Sequence, residues 1–206
     1  MGPRSSLQHL LLNIEYMTCA PFLDRLKTIF AAMDETYRKA SGYYGFHCTG
    51  CEDSCCFTRF YHYTLLEYFF IREGYKVLGY EKQREVMQRA QDVCRKTDQA
   101  GENGQPVRLM CPLNVDGLCL TYANRPMICR LHGIPHELHG PNGGVMQGRG
   151  CDVFYQQCSQ NECFTFDRTP FYVEMANLEG ELRQIVGMTQ KIKMTIAQMI
   201  VSYKET

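Results

Sequence analysis

Apolar residues recur three and four positions apart over most of this chain, whereas strand-like alternation never persists beyond a few residues. The helical spacing is clear in the stripe Leu23, Leu26, Ile29, Phe30 and Met33. Such periodicity predicts amphipathic helices that bury one face. We therefore expect a mainly α fold, with helices at residues 5–18, 21–40, 64–74, 81–97 and 169–206.

Short polar and proline-containing motifs indicate where these helices begin and end. Thr64, with a glutamate three residues later, has the pattern of a capping box. Pro21 is expected to interrupt the first helical stretch and to begin a second helix. Thr169, followed directly by proline, predicts the start of the last helix. That helix is expected to break near Gly180 or Gly187.

Twelve cysteines are the unusual feature of the composition, and four of them lie within nine residues. These four follow the spacing C-x2-C-x3-C-C, from Cys48 to Cys56, between two predicted helices. Pro126 fits the first turn of a short helix that would carry Cys129. The predicted architecture is a helical domain whose irregular, cysteine-rich loop centre holds a metal or cluster site. The later cysteines of that centre are Cys111, Cys119, Cys129, Cys151, Cys158 and Cys163.

Charge and targeting signals limit the range of partners and compartments. The 22 basic and 22 acidic residues cancel, and no run of like charges occurs. We therefore expect neither a nucleic-acid partner nor binding to an anionic membrane. The first 22 residues lack the pattern of a secretory signal, and no stretch is apolar enough to span a membrane. These features predict a reducing, cytoplasmic location, where lasting disulfides are rare.

In a reducing compartment, crowded cysteines are more typical of metal binding than of disulfides. Cys55 and Cys56 are adjacent, and a disulfide between neighbours would strain the intervening peptide. Their side chains are expected to diverge, so that one joins a first site and the other faces a second site or a shared edge. Cys19 and Cys94 stand apart from the other thiols and are predicted to be structural.

The kind of metal stays open between iron–sulfur and zinc, and ligand number favours iron–sulfur. Only one C-x2-C pair occurs, whereas structural zinc sites commonly use two. The spacing also differs from the ferredoxin run. The clustered thiols exceed one tetrahedral site and could serve two 4Fe–4S clusters. The predicted ligands are Cys48, Cys51, Cys55, Cys56, Cys111, Cys119, Cys129, Cys151, Cys158 and Cys163, and His132 is the histidine with the best case for a role at the site.

Two segments together resemble the YkgJ-like cysteine-cluster family (CxxCxxCC), which is described as a zinc- or iron-chelating domain. The first segment is Cys48–Cys56, and the second runs from Cys111-Pro112-Leu113 through Cys119 to the motif Arg125-Pro126-x-x-Cys129-Arg130. The resemblance covers residues 45–135 and implies metal or cluster binding by the seven cysteines there. One relative, the flagellin lysine methylase, uses such a motif for an iron–sulfur cluster in methylation that depends on S-adenosylmethionine.

We read the chain as a single domain, 1–206. It has a family core at 45–135, a cysteine-containing loop extension at 136–168 and a C-terminal helix at 169–206. The leading hypothesis is an iron–sulfur protein with a redox, electron-transfer or cluster-dependent enzymatic role and a protein or redox partner. The alternatives are a zinc-stapled interaction module and S-adenosylmethionine-dependent protein methylation. No hydrolase, P-loop or dinucleotide motif occurs, and the sequence identifies no catalytic residue.

Overall fold

The computed structural model describes residues 16–48, 55–102, 107–158 and 166–203, and this part of the chain is mainly helical, which confirms the predicted fold class. None of its helices combines the length and the apolar character needed to cross a membrane. The helices in chain order are α1 (Tyr16–Tyr44), α2 (Leu65–Lys76), α3 (Tyr80–Glu102), α4 (Met127–Leu131), α5 (Asp152–Cys158), α6 (Thr169–Val186) and α7 (Ile196–Ser202).

The long helix α1 passes through Pro21 without a break, so the predicted interruption there is wrong. A proline inside a helix removes one backbone hydrogen bond and costs about 3 kcal/mol. The neighbouring side chains of Phe22, Leu23 and Leu26 are all buried in the core. Burial of each such side chain contributes about 1.5–3 kcal/mol, which offsets the proline. Most of the helix predicted at 5–18 lies outside the described residues.

The core forms where the apolar face of α1 meets α2, α4 and α6. Phe30 of α1 contacts Phe70 of α2 edge-on, with ring centroids 5.2 Å apart. Helix α7 closes another side of the core. Tyr203 directly follows this helix, and its hydroxyl donates to the Tyr68 carbonyl at 3.0 Å. These contacts fix the relative positions of the helices that the cysteine-bearing loops connect.

Two antiparallel hairpins lie between the helices in the described part of the chain. The first pairs β1 (Asn114–Val115) with β2 (Leu118–Cys119), and its turn contains Asp116 and Gly117, both at positive φ. Positive φ at both central residues is typical of the tight turns that fit hairpin twist. The second pairs β3 (His136–His139) with β4 (Val145–Gly148). This hairpin and α5 occupy the stretch 136–158, for which the sequence predicted only loop.

The other boundaries follow the predicted signals more closely. The Thr64 hydroxyl caps α2 by accepting the Glu67 backbone N–H at 3.1 Å. Helix α3 is longer than predicted and continues to Glu102. Helix α6 contains Gly180 without a break and ends at Gly187, which adopts a left-handed conformation with φ of 65°. The C-terminal segment is therefore two helices, α6 and α7, which confirms the predicted break near Gly187 and excludes one at Gly180.

Candidate metal centre

A cavity of about 960 Å³ lies between the two cysteine-bearing segments of the chain. Its wall includes residues from the end of α1, the segment before α2, the first hairpin, α4 and the start of α5. The first segment and the hairpin are joined directly, since the Cys111 N–H donates to the Cys56 carbonyl at 2.9 Å. The predicted ligands that line this cavity are Cys48, Cys55, Cys56, Cys111, Cys119, Cys129 and Cys151.

The other three predicted ligands are Cys51, Cys158 and Cys163. Cys51 and Cys163 fall outside the described residues. Cys158, at the end of α5, is buried in the core, and its thiol donates to the Tyr44 carbonyl at 3.4 Å. The structure therefore does not bring Cys158 to the cavity wall. Cys19 is fully buried in α1, and burial raises the pKa of its thiol to about 11, as expected for a structural cysteine.

Cys56, Cys111, Cys119 and Cys129 form one group of neighbouring thiols. The first hairpin fixes the positions of Cys111 and Cys119. The Leu120 N–H donates to the Leu113 carbonyl at 2.9 Å and so aligns the chain on both sides of the turn. Burial raises the pKa of Cys129, and the charges of Cys111, Cys56 and Cys119 raise it further. Burial likewise raises the pKa of Cys111 to about 12. All four thiols are thus close enough to interact electrostatically.

Cys48, Cys55 and Cys151 form a second group around the hydroxyl of Tyr37. Burial raises the pKa of Tyr37, and the charges of Cys48, Cys151 and Cys55 raise it further. Cys55 also connects the two groups, since its pKa is raised by a hydrogen bond with the Cys56 thiol, by burial and by the charge of Cys129. The expected divergence of the adjacent Cys55 and Cys56 side chains is therefore wrong, because their thiols share a hydrogen bond that links the two groups.

The thiols are spread along the cavity wall. No three His, Cys, Asp or Glu side chains of residues 16–48, 55–102, 107–158 and 166–203 meet as the ligands of a single metal ion. A tetrahedral zinc site requires such convergence, because each sulfur lies about 2.3 Å from the same ion. The described cysteines of the cavity wall therefore do not converge on one point as such a site requires.

Cys129 is carried by α4, a helix of only five residues. So short a helix is unstable by itself, and partners at both of its ends compensate. At the N-terminus, the buried Glu67 carboxylate accepts the Met127 N–H at 3.1 Å. At the C-terminus, the buried Arg168 guanidinium donates to the Leu131 carbonyl. A negative charge at the start and a positive charge at the end also complement the helix dipole.

Arg130, which follows Cys129 in the family-like motif, has a structural role. Its guanidinium is buried, donates to the Ala123 carbonyl and the Asp34 carboxylate, and donates through Nε to the Arg125 carbonyl at 2.9 Å. It also lies over the ring of Phe30, 4.5 Å from the centroid. Arg130 thereby joins α1, the 3-10 turn Tyr122–Asn124 and α4, which positions Cys129.

Two histidines of the described residues line the cavity, and the sequence indicated only one of them. His132 contacts Phe60 edge-on, and burial, followed by the charge of Arg168, lowers its pKa, so its ring is neutral at neutral pH. His62 was not predicted, although it is 2% exposed and lines the same cavity. The sequence held one weak signal for it, namely its place just before the capping residue Thr64 in a cluster of aromatic residues.

Gly133 lets the backbone pass close to Tyr37 and Cys151, which both belong to the second group. It has φ of 113°, and its carbonyl accepts the Cys151 N–H at 2.8 Å. A Cβ atom at this position would lie 3.1 Å from the Tyr37 hydroxyl and 3.9 Å from the Cys151 sulfur. Glycine is therefore required by both conformation and space.

Replacing Gly133 with alanine is expected to destabilise the protein by about 2 kcal/mol or more, because backbone strain and crowding add. The matched control is Gly180→Ala in α6, where a Cβ would meet nothing within 4 Å. That change should leave stability unchanged or raise it by up to about 1 kcal/mol. Urea unfolding of both variants measures the difference. Equal stability for the two would contradict the proposed constraint at Gly133.

Comparisons with known proteins give no match: no family model, curated protein or solved structure is significantly similar to this chain. The resemblance to the YkgJ-like family therefore stays a prediction that depends on the two cysteine segments.

Proposed function

We propose that the cavity binds an iron–sulfur cluster and that the protein acts in electron transfer or in cluster-dependent chemistry. The observation that carries this proposal is the distribution of thiols along one cavity of about 960 Å³. Thiolate is the characteristic ligand of such clusters. The donor set and the size of the space therefore fit a cluster.

The separation of the thiols favours a cluster over a single zinc ion. Cysteines that bind different irons of one cluster are held further apart than cysteines that share one ion. In the described residues, no three potential ligands converge on one point, while Cys111, Cys56 and Cys119 all influence the charge state of Cys129. This spacing, close but not convergent, suits the corners of a cluster.

Cys56, Cys111, Cys119 and Cys129 are the proposed ligands of the first cluster. Cys48, Cys55 and Cys151 would serve a second one, together with Cys51 or Cys163, which stay predicted ligands. A bound cluster supplies one-electron transfer. The protein's own contribution is to hold the thiols and to limit water, because Leu113 and the ring of Phe46 also line the cavity and are buried. We propose a reducing, cytoplasmic setting with a protein redox partner.

Anaerobic purification should give a brown protein containing iron and acid-labile sulfide, with an electron paramagnetic resonance signal after reduction. Cys111→Ser and Cys129→Ser should each lose the iron of the first cluster. Cys94→Ser is the matched control, since Cys94 lies on α3 and is not one of the residues that line the cavity, and it should keep the iron. Cys158→Ser should also keep it, because that thiol bonds to Tyr44.

A colourless protein with stoichiometric zinc would contradict the cluster and favour the zinc-stapled interaction module. In that case chelation should unfold the protein, as it does for domains that depend on structural zinc. Protein methylation is a further alternative for a cluster-bearing chain. Calorimetry with S-adenosylmethionine tests it, and no binding to the anaerobically prepared protein would exclude it.

A further inference from the structure

We infer that His62 is a nitrogen ligand of the metal centre in the cavity and that Glu67 positions its ring. This inference rests on the proposed function, because it requires that the cavity holds a metal. It adds a ligand that the cysteine pattern does not contain. The supporting observations are the backbone anchoring of His62, the position of Glu67 and the unpaired state of one ring nitrogen.

The backbone of His62 is fixed on both sides. Its N–H donates to the Met194 carbonyl at 2.8 Å, and the Met194 N–H donates back to the His62 carbonyl at 3.0 Å. This pair forms an isolated antiparallel bridge between the segment before α2 and the segment before α7. A ligand held in this way loses little conformational freedom when it binds a metal.

The ring nitrogens of His62 have different surroundings. Nδ1 lies 3.6 Å from Glu67 Oε1, and both side chains are buried. Nε2 is buried as well, yet it has no hydrogen-bond partner in the described part of the chain. A buried polar atom without a partner destabilises the fold, so such atoms usually have a role. A metal in the adjoining cavity would satisfy Nε2.

The pairing of imidazole with carboxylate is the common arrangement around metal-binding histidines. A carboxylate beside Nδ1 favours the tautomer that keeps the proton there, which leaves the Nε2 lone pair available. Glu67 is itself fixed, because its carboxylate accepts the Thr64 hydroxyl at 2.9 Å and the Met127 N–H at 3.1 Å. The same carboxylate therefore lies beside Nδ1 of His62 and holds the start of α4, which carries Cys129.

An ordinary core histidine would use both ring nitrogens in hydrogen bonds. His62 instead borders the cavity that the thiols line, and imidazole is a suitable ligand for both iron and zinc. Histidine in place of cysteine raises the reduction potential of a cluster. In this inference His62 takes the place of one of the four thiols named for the first cluster, and a set of three thiolates and one imidazole is consistent with the proposed redox role.

The test uses the anaerobically purified full chain, labelled with ¹⁵N-histidine and reduced. Electron–nuclear double resonance should show one strongly coupled histidine nitrogen. The signal should vanish in His62→Ala while iron content falls by less than half. The control His132→Ala removes the other histidine of the cavity wall and should keep the signal.

Glu67→Gln tests the positioning role, because glutamine keeps the size of the side chain and removes its charge. The nitrogen coupling should weaken or broaden while iron stays bound. The control is Glu179→Gln, which alters another buried carboxylate that accepts two N–H groups at a helix start, from Leu65 and Leu66. Glu179→Gln should lower the stability of the protein about as much as Glu67→Gln does, and it should leave the nitrogen coupling unchanged.

The outcomes separate this inference from the proposed function. A cluster with no strongly coupled nitrogen in the wild-type protein, or a signal that persists in His62→Ala, overturns the role of His62 and leaves the cluster intact. A preparation without any bound metal overturns both. If the metal is zinc, X-ray absorption replaces the resonance measurement, and an all-sulfur zinc shell overturns the inference, whereas a nitrogen that His62→Ala removes supports it.

Discussion

Replacing Arg130 with leucine is expected to destabilise the protein by about 3–5 kcal/mol. The change removes donors from the Ala123 and Arg125 carbonyls and from the Asp34 carboxylate. It also removes the contact with the Phe30 ring at 4.5 Å. Most of the cost comes from the carbonyls, because Asp34 is half exposed and water can solvate it.

Urea unfolding of the metal-free protein measures this effect without interference from metal binding. Arg130→Lys should recover only part of the loss, because an ammonium group cannot donate to three separated acceptors in the fixed geometry of a guanidinium. The control is Arg38→Leu, which breaks an exposed ion pair with Glu35 on α1 and should cost under about 1 kcal/mol. If Arg130→Leu behaved like this control, Arg130 would not be the link between α1 and α4.

The features that the sequence predicted well are those with local causes. Thr64 caps a helix because its hydroxyl reaches an N–H three residues on, and Gly187 ends one because it adopts positive φ. Pro126 precedes α4, which carries Cys129 as expected. Each of these depends on a few neighbouring residues, so the pattern of residue types contains the necessary information.

The features that the sequence missed depend on contacts between distant segments. Pro21 lies inside a helix because the core around it compensates, and no local pattern reports that packing. Cys158 resembled the other thiols until the structure placed it against Tyr44. His62 gains its significance from Glu67 and from its bridge to Met194, which lies more than a hundred residues away.

The metal-free and metal-loaded proteins are expected to respond to pH in opposite directions. Burial raises the pKa of Cys111 to about 12, and burial together with neighbouring thiols raises that of Cys129. The hydrogen bond with Cys56, followed by burial, raises the pKa of Cys55. A raised pKa in the folded state gives stability that is complete below the unfolded pKa of about 8.5 and is lost as pH rises towards the folded value. At pH 9.5 the loss for Cys111 alone is about 1.4 kcal/mol.

In the loaded protein the cavity thiols are already deprotonated by the metal, so alkaline pH should not destabilise it through them. Acidic pH should destabilise the loaded protein, because protons compete with the metal for thiolate. Urea unfolding of both forms between pH 6 and about pH 9.5 checks this, and the range stays below the usual pKa of tyrosine. Cys19 titrates equally in both forms, so the difference between the two curves reports the cavity thiols. Parallel curves would mean that the cavity thiols do not bind the metal.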